Sequence, residues 1–375
     1  MNYEKLFDTN VTSESMKQWK ANGGKIIGTI CCHVPEEIIH AAGLLPVRLR
    51  ATGCKDNSDG EIWMTNFSCS FANSVLQYLL DGTYDLDGLI ATDGCTQAGR
   101  IYDNWYFNDP NKKSNYLHMM AAPRVFRPDS VEYYIGEIND IIEGLEEFTG
   151  EKITDEKIKE SVALYNETRA LIRELYELRK EEYPVISGTD TLKIVLAATS
   201  MPKEEFNPLL RAFLDDAKNR EPIKDYGARI MVIGSALDDP EYTKVIEDAG
   251  VLIVTDALCF GSRYLWEPVE LDENDVLRSL AVSYLSRPVC PRMIDLHDEL
   301  SEFIMTMLKD YNVDGVLFQK MQYCECWGGE GGTLYEKFKE GGYPVLEVER
   351  EELMSNAGQL AIRAGAFVEM IEQED

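Results

Sequence analysis

Two stretches of this chain share one rhythm. Short apolar runs are each followed by Gly, Cys, Asp or Pro and then by a longer amphipathic stretch. In the first stretch the runs are Lys25–Ile30, Leu45–Arg50, Leu86–Ala91 and Tyr116–Ala121; in the second they are Arg229–Gly234, Leu252–Asp256, Val316–Gln319 and Val345–Glu349. Short apolar runs bounded by turn residues and alternating with helical periodicity predict βαβ units around parallel sheets. Pro35 to Gly43 carries a helix signature of its own: Pro at the first turn, acids near the start and Gly at the end. Between the two stretches the period is helical throughout, as in Val131, Ile135, Ile138, Ile142 and Leu145, with Gly150 ending that run. The pattern predicts an α/β protein of two Rossmann-like domains with mostly parallel sheets, over residues 1–128 and 223–375. A helical connecting segment, 129–222, joins them, and a cleft lies where the strand ends of the two sheets meet.

Charge removes several function classes. Against 37 Lys and Arg stand 66 Asp and Glu, a net charge of -29. So acidic a chain repels polyanions, which argues against nucleic acid and anionic membranes. A polyphosphorylated ligand such as coenzyme A would need local bases, for which Arg48, Arg50, Arg100 and Arg263 are available. No apolar run approaches the ~20 residues of a membrane helix, and Met1 to Ala21 is polar and mixed in charge, unlike a signal peptide. A cytoplasmic location is the expectation.

Phosphate-binding loops are absent: neither G-x-x-x-x-G-K-[ST] nor G-x-G-x-x-G occurs. Gly328-Gly329-Glu330-Gly331-Gly332 is flanked by acids and reads as a flexible loop beside Cys324. ATP hydrolysis by this chain is therefore not expected. A thiol nucleophile is poorly supported too. Cys31 and Cys32 adjoin His33, but neighbours on an extended segment point to opposite faces.

The nine cysteines change the picture most. A reducing compartment disfavours disulfides between them, and none of the spacings is a paired C-x-x-C zinc pattern. Cys31, Cys95, Cys259 and Cys324 each follow a predicted strand within five residues. Carboxyl ends of strands border the ligand crevice in open α/β sheets, so thiolates arriving there point to a soft-metal site, with iron–sulfur the natural candidate. Cys69, Cys95 and Cys324 would make a three-point site spanning both domains. Helix starts at Cys69 and Cys95 would stabilise thiolate charge. On that reading Cys31, Cys259 and Cys290 are surplus, and Cys32, Cys54 and Cys326 are bystanders.

The segment Pro35-Glu-Glu-Ile-Ile-His-Ala-Ala-Gly-Leu-Leu-Pro-Val47 resembles the signature of the 2-hydroxyacyl-CoA dehydratase / benzoyl-CoA reductase superfamily. Phe67-Ser-Cys69-Ser and Asp93-Gly-Cys95 resemble its first two cluster-cysteine segments, and Gln319-Lys-Met-Gln-Tyr-Cys324-Glu resembles its third. The ending Gly358-Gln-Leu-Ala-Ile-Arg363 is similar as well, so the likeness runs from about Gly24 to the C-terminus.

The resemblance implies a [4Fe-4S] cluster held by Cys69, Cys95 and Cys324, and a heterodimer with a sister subunit of the same family. It also implies an ATP-dependent iron–sulfur activator that injects one low-potential electron. The implied reaction is radical dehydration of a 2-hydroxyacyl-CoA through a ketyl, or the related reduction of an acyl-CoA. Glu36, Glu37 and His40 lie close to Cys31 in sequence, and a proton-transfer role is assigned to Glu37 and His40 as an expectation. Three departures open a second branch: Cys324-Glu325-Cys326-Trp327 where the family often has Cys-Asp-Pro, Cys31 where many subunits lack it, and Cys259 with Cys290. Six cysteines, Cys69, Cys95, Cys324, Cys31, Cys259 and Cys290, resemble the double-cubane cluster proteins. That branch implies an [8Fe-9S] cluster and a homodimer reducing small molecules. A third alternative is a non-catalytic protein that holds a cluster for its sister chain.

Overall fold

The computed structural model describes residues 3–65, 67–108, 116–287 and 290–374. Its first sheet contains β1 (Ile26–Ile30), β2 (Leu45–Arg48), β3 (Gly88–Thr92) and β4 (Tyr116–Met120), in the order β2-β1-β3-β4 with every pair parallel. The second contains β5 (Ala228–Gly234), β6 (Val251–Ala257), β7 (Gly315–Met321) and β8 (Val345–Arg350), in the order β6-β5-β7-β8, again all parallel. The eight expected strands form, with no end shifted by more than two residues. β1, β3, β5 and β6 are buried along their whole length, the reason they read as unbroken apolar runs.

Alternation along each strand divides the core. Ile27, Ile90, Met231, Ile233 and Val316 face inward and pack with Tyr134, Ile138, Leu175 and Phe206 of the helical segment in one continuous cluster. Their neighbours point the other way: Ile26, Ile30 and Leu89 against the helices Ser70–Leu80 and Thr96–Asn108, and Ile230, Val232 and Leu317 against Ala357–Glu374. The segment between the sheets, with helices Pro128–Thr149, Asp155–Glu177, Gly188–Ala198 and Lys203–Ala217, is thus a shared middle layer under both sheets rather than a separate core. Among the described residues no helix is long and apolar enough to cross a membrane.

Topology places the ends of four strands at one seam. In each sheet the chain reverses its direction of travel between the two central strands, β1 and β3 in the first and β5 and β7 in the second. The crevice at such a switch point is where ligands sit in open α/β sheets. Gly234 lets the end of β5 approach β7 closely: its φ is 128°, and a Cβ there would lie 1.7 Å from the Gln319 carbonyl oxygen. Cross-seam bonds hold the two halves together. Ala51 N donates to Asp238 Oδ2 at 2.6 Å and Glu352 N to Ser70 Oγ at 2.6 Å, while Arg48 N donates to the Thr199 carbonyl of the connecting segment at 2.9 Å.

One expectation is overturned. The glycine-rich stretch 328–332 is not a loop but lies within the helix Glu325–Glu340. Trp327, Leu334 and Phe338 bury one side of this helix, which offsets the poor helix propensity of glycine. Gly331 has a packing reason, since a Cβ there would meet the Phe318 ring at 2.8 Å.

Candidate metal centre

Each thiol is delivered to the seam by a short, local device. Cys31 comes directly after β1 with φ 81°, a left-handed conformation sparsely populated outside glycine. Opposite it, Gly94 leaves the space the thiol needs, because a Cβ on Gly94 would lie 3.1 Å from Cys31 Sγ. Cys69 is the N-cap of the helix Ser70–Leu80, Cys95 immediately precedes Thr96–Asn108, and Cys324 is the N-cap of Glu325–Glu340. Tyr323, at φ 64°, turns the chain from β7 into that last helix. Cys259 lies two residues beyond β6. Cys290 follows the helix Val276–Ser286; Pro288 and Val289 of its loop lie outside the described residues.

These devices converge on a single cavity of about 160 Å³, lined by Cys31, Cys32, Cys69, Cys95, Cys259, Cys290, Cys324 and Cys326. Only Cys54, of the nine, is not on its wall. The six cysteines expected as ligands are therefore brought together. Cys32 and Cys326, read from the sequence as bystanders, stand among them. Phe71, Val75, Phe260, Met321 and Trp327 supply much of the remaining wall. Among the described residues the lining includes no Asp, Glu or His, whereas Arg48, Arg263 and Arg292 all contribute to it.

Mutual electrostatics sort the thiols into two groups. Burial raises the Cys69 pKa well above the ordinary thiol value, with Cys95 and Cys324 adding to the rise. Burial also raises Cys95, and Cys324 is again a neighbour. In the other group, burial pushes Cys290 up to about 11, opposed by Arg263 and reinforced by Cys32 and Cys259. Cys31 is raised by a hydrogen bond with the Cys32 thiol and by burial, with Cys290 contributing. Cys326 answers to both groups: burial raises it, and Cys290, Cys95 and Cys324 all reinforce the rise.

Each of the three arginines donates to backbone carbonyls around the cavity. Arg292 donates to the carbonyls of Gly94 at 3.2 Å, Pro123 at 2.8 Å and Ala122 at 2.7 Å, with Asp93 3.8 Å away at the rim. Arg48 donates to the Cys259 carbonyl and lies 4.1 Å from the Phe260 ring centre. Arg263 donates to the Ala257 carbonyl at 2.9 Å and lies 5.2 Å from the Trp327 ring. Burying three guanidinium groups is costly unless negative charge faces them. Thiolates bound to a metal supply that charge. A wall of sulfur donors, cations and apolar side chains fits an iron–sulfur cluster, and it does not fit a hard oxygen-ligated cation.

A nitrogen lies just behind this wall. The ligand atoms of Cys31, Cys32 and His33 fall within 4.8 Å of one another. Burial lowers the His33 pKa to about 3, leaving a neutral ring; Nδ1 sits 3.2 Å from the Tyr284 carbonyl, and among the described residues Nε2 has no hydrogen-bond partner.

Glu37 and His40 do not reach the cavity. Glu37 is fully buried, accepting from Arg169 Nη2 at 2.5 Å and from the Tyr284 hydroxyl at 2.6 Å. Burial raises its pKa, but Arg169 and Tyr284 outweigh it and hold the carboxyl below its ordinary value. His40 pairs with Ser161 Oγ and Glu204 Oε1, each at 2.9 Å, facing solvent. The neighbouring Glu36 accepts from Tyr264 at 2.7 and 2.8 Å, and burial raises its pKa. Among the wall residues that sequence reasoning passes over, Cys326 has a signal in its two-residue spacing from Cys324. Arg292 has none, since nothing local tells a docking arginine from a solvated one.

Known proteins resemble this chain over nearly its whole length. Residues 31–371 match the family model described as 2-hydroxyglutaryl-CoA dehydratase, D-component. A benzoyl-CoA reductase subunit of Thauera aromatica is 27% identical over 367 residues, covering 95% of this chain and 94% of that protein. The (R)-phenyllactyl-CoA dehydratase beta subunit of Clostridium sporogenes is 25% identical over 358 residues, with 95% and 94% covered. The beta subunit of (R)-2-hydroxyglutaryl-CoA dehydratase from Acidaminococcus fermentans is 25% identical over 361 residues, with 95% of each covered. With its switch-point thiols and a match spanning nearly its whole length, this chain belongs to the 2-hydroxyglutaryl-CoA dehydratase D-component family.

Proposed function

We propose that this chain is an iron–sulfur protein for low-potential one-electron chemistry, carrying a double-cubane [8Fe-9S] cluster on two sets of three cysteines. Cys69, Cys95 and Cys324 would hold one half and Cys31, Cys259 and Cys290 the other. The observation that carries the reading is that both sets open onto one cavity. A single [4Fe-4S] cube on the first set would leave the second set as free, half-buried thiols sharing the cavity wall with three arginines. When bound, the group supplies an electron at low potential for the reduction of a small molecule.

The chain's own residues do the rest. Arg48, Arg263 and Arg292 balance negative charge at the second set, while the helix N-termini at Cys69, Cys95 and Cys324 do so at the first. Phe71, Phe260, Met321 and Trp327 keep water from the cavity. Lacking a phosphate-binding loop, the chain draws its electron from a separate ATP-dependent iron–sulfur activator. Its partner is a second copy of itself.

A second reading is favoured by the relatives, which are named as subunits of acyl-CoA dehydratases and a benzoyl-CoA reductase. On it the chain carries one [4Fe-4S] cluster on Cys69, Cys95 and Cys324, pairs with a sister subunit, and dehydrates a 2-hydroxyacyl-CoA or reduces an acyl-CoA. Either way the cytoplasm is the proposed compartment. A proton-transfer role for Glu37 or His40 would have to run through Tyr284 or Glu204, and Glu37→Gln and His40→Gln test it by turnover. Anaerobically purified protein should be brown, absorb broadly near ~400 nm and bleach on reduction. Colourless protein contradicts both readings. Assaying the chain with its activator against acyl-CoA esters and against small molecules then chooses between them.

A further inference from the structure

Adjacency in sequence sets Cys31, Cys32 and His33 against acting together, because neighbours on extended chain point to opposite faces. The chain is not extended there. Cys31 takes φ 81° directly after β1, and from this left-handed residue the next two continue as a turn. Both thiols and a ring nitrogen of His33 therefore lie within 4.8 Å of one another. Two sulfurs on opposite sides of one ion stand apart by about twice the ~2.3 Å zinc–sulfur bond, so this spread is the size of a single coordination shell.

His33 is held as a ligand would be. It is 4% exposed, and the Tyr134 hydroxyl donates to its carbonyl, fixing the backbone. A carbonyl oxygen can only accept, so the 3.2 Å contact of Nδ1 with the Tyr284 carbonyl places the ring proton on Nδ1. Nε2 then carries a lone pair, and among the described residues it has no hydrogen-bond partner. One ring nitrogen committed to a backbone carbonyl while the other stays free is the arrangement of metal-binding histidines.

We infer that Cys31, Cys32 and His33 form a site for a single thiophilic cation of the zinc type, available to the chain before its cluster is in place. Two thiols and one imidazole are zinc donors, and the cavity that Cys31 and Cys32 line leaves room for a water as fourth ligand. Binding breaks two S–H bonds and forms two zinc–sulfur bonds and one zinc–nitrogen bond. Two protons leave and no electron moves. The filled site is electrically neutral, so it adds no charge to be balanced at depth. A Cys31 thiolate committed to zinc is withdrawn from the second thiol set, and zinc there blocks that half of the cluster. This exclusion rests on the double-cubane reading above, whereas the site does not.

The test uses the full chain purified anaerobically, either with its iron or stripped of it by chelation, as wild type, His33→Phe, Cys32→Ala and the off-cavity control Cys54→Ala. Zinc affinity is read against a chelating dye, with Co2+ as a coloured substitute. Iron-free wild type should bind its first zinc about tenfold more tightly, or better, than His33→Phe or Cys32→Ala, since losing even a partner behind a ligand costs that much. Cys54→Ala should match wild type. With saturating Co2+, Cys32→Ala should lose about half of the thiolate-to-metal absorption and His33→Phe should keep it, a difference that a merely structural role would not produce. Should one variant fail to fold by circular dichroism, the other carries the comparison. Equal zinc affinity in all four proteins would overturn the site. Iron-loaded wild type should take up no zinc with this His33 dependence. Uptake by a chain holding about eight iron would overturn the exclusion, while uptake by a chain holding about four would sink the double-cubane reading and leave the site standing.

Discussion

The two sets of thiols meet in one cavity but are served by different electrostatics. Cys69, Cys95 and Cys324 all stand at the starts of helices, where unpaired N–H groups and the aligned peptide dipoles favour negative sulfur. Among the described residues, Cys31, Cys259 and Cys290 have no helix start of that kind and instead sit among Arg48, Arg263 and Arg292. Backbone serves the first set and side chains the second. Backbone dipoles survive any single substitution, whereas a guanidinium can be removed by one. The second set should therefore be the easier of the two to unload.

The largest effect that can break this comparison comes from removing a thiol. Ala at Cys69, Cys95 or Cys324 should abolish retention at the first set, and Ala at Cys31, Cys259 or Cys290 should remove about four of about eight iron atoms, counted by colorimetric iron assay. If all three second-set changes leave iron untouched, the two sets are not equivalent holders and the single-cube reading stands.

Next is the support beneath the second set. The helix Glu36–Ala41 follows Cys31 and is anchored by the buried Glu37–Arg169 pair. Arg169→Ala should destabilise the protein by about 3–5 kcal/mol in denaturant melts, because it leaves a buried carboxylate unpaired. The pH dependence has a definite sign. Since the folded Glu37 pKa lies below its ordinary 4.5, its contribution is full above that value and is lost as pH falls through the folded pKa. Glu36 works oppositely: its folded pKa is raised, so stability declines as pH rises from 4.5 through that raised value. Glu36→Gln should flatten that decline, while Glu37→Gln should destabilise at neutral pH.

A smaller effect sharpens the contrast between backbone and side-chain charge. Arg48→Met should lower the reduction potential of the cluster by roughly 60 mV, about tenfold in the one-electron equilibrium, as followed by redox titration. An unchanged potential would mean that Arg48 serves packing against Phe260 and the Cys259 carbonyl rather than charge. The smallest expected effect is that of Cys54→Ala, which should leave iron and spectrum unchanged.

Much of this arrangement is legible in the sequence, and unevenly. β1 to β4 and β5 to β8 are readable because parallel strands buried on both faces leave unbroken apolar runs. First-set thiols are readable because helix starts leave local marks, as at Cys69 and Cys95. Residues 328–332 mislead: four glycines argue for a loop locally, but Trp327, Leu334 and Phe338 bury that segment as helix and tertiary packing wins. Helical spacing separates Cys326 from Cys324, and only the N-cap geometry of Cys324 reconciles the two. The three arginines come from β2 and from the segments following β6 and Cys290, so their meeting is a product of topology alone. Glu37 and His40 are close to Cys31 in sequence only. In space, the short helix turns them toward Arg169 and Glu204.

Anaerobic iron and acid-labile sulfide stoichiometry tests the central claim most directly. Thiols from both halves of the fold gathered around a shared inorganic core should give about eight iron and about nine sulfide per chain. A count near four iron per chain, unchanged when Cys31, Cys259 and Cys290 are replaced together, would contradict it.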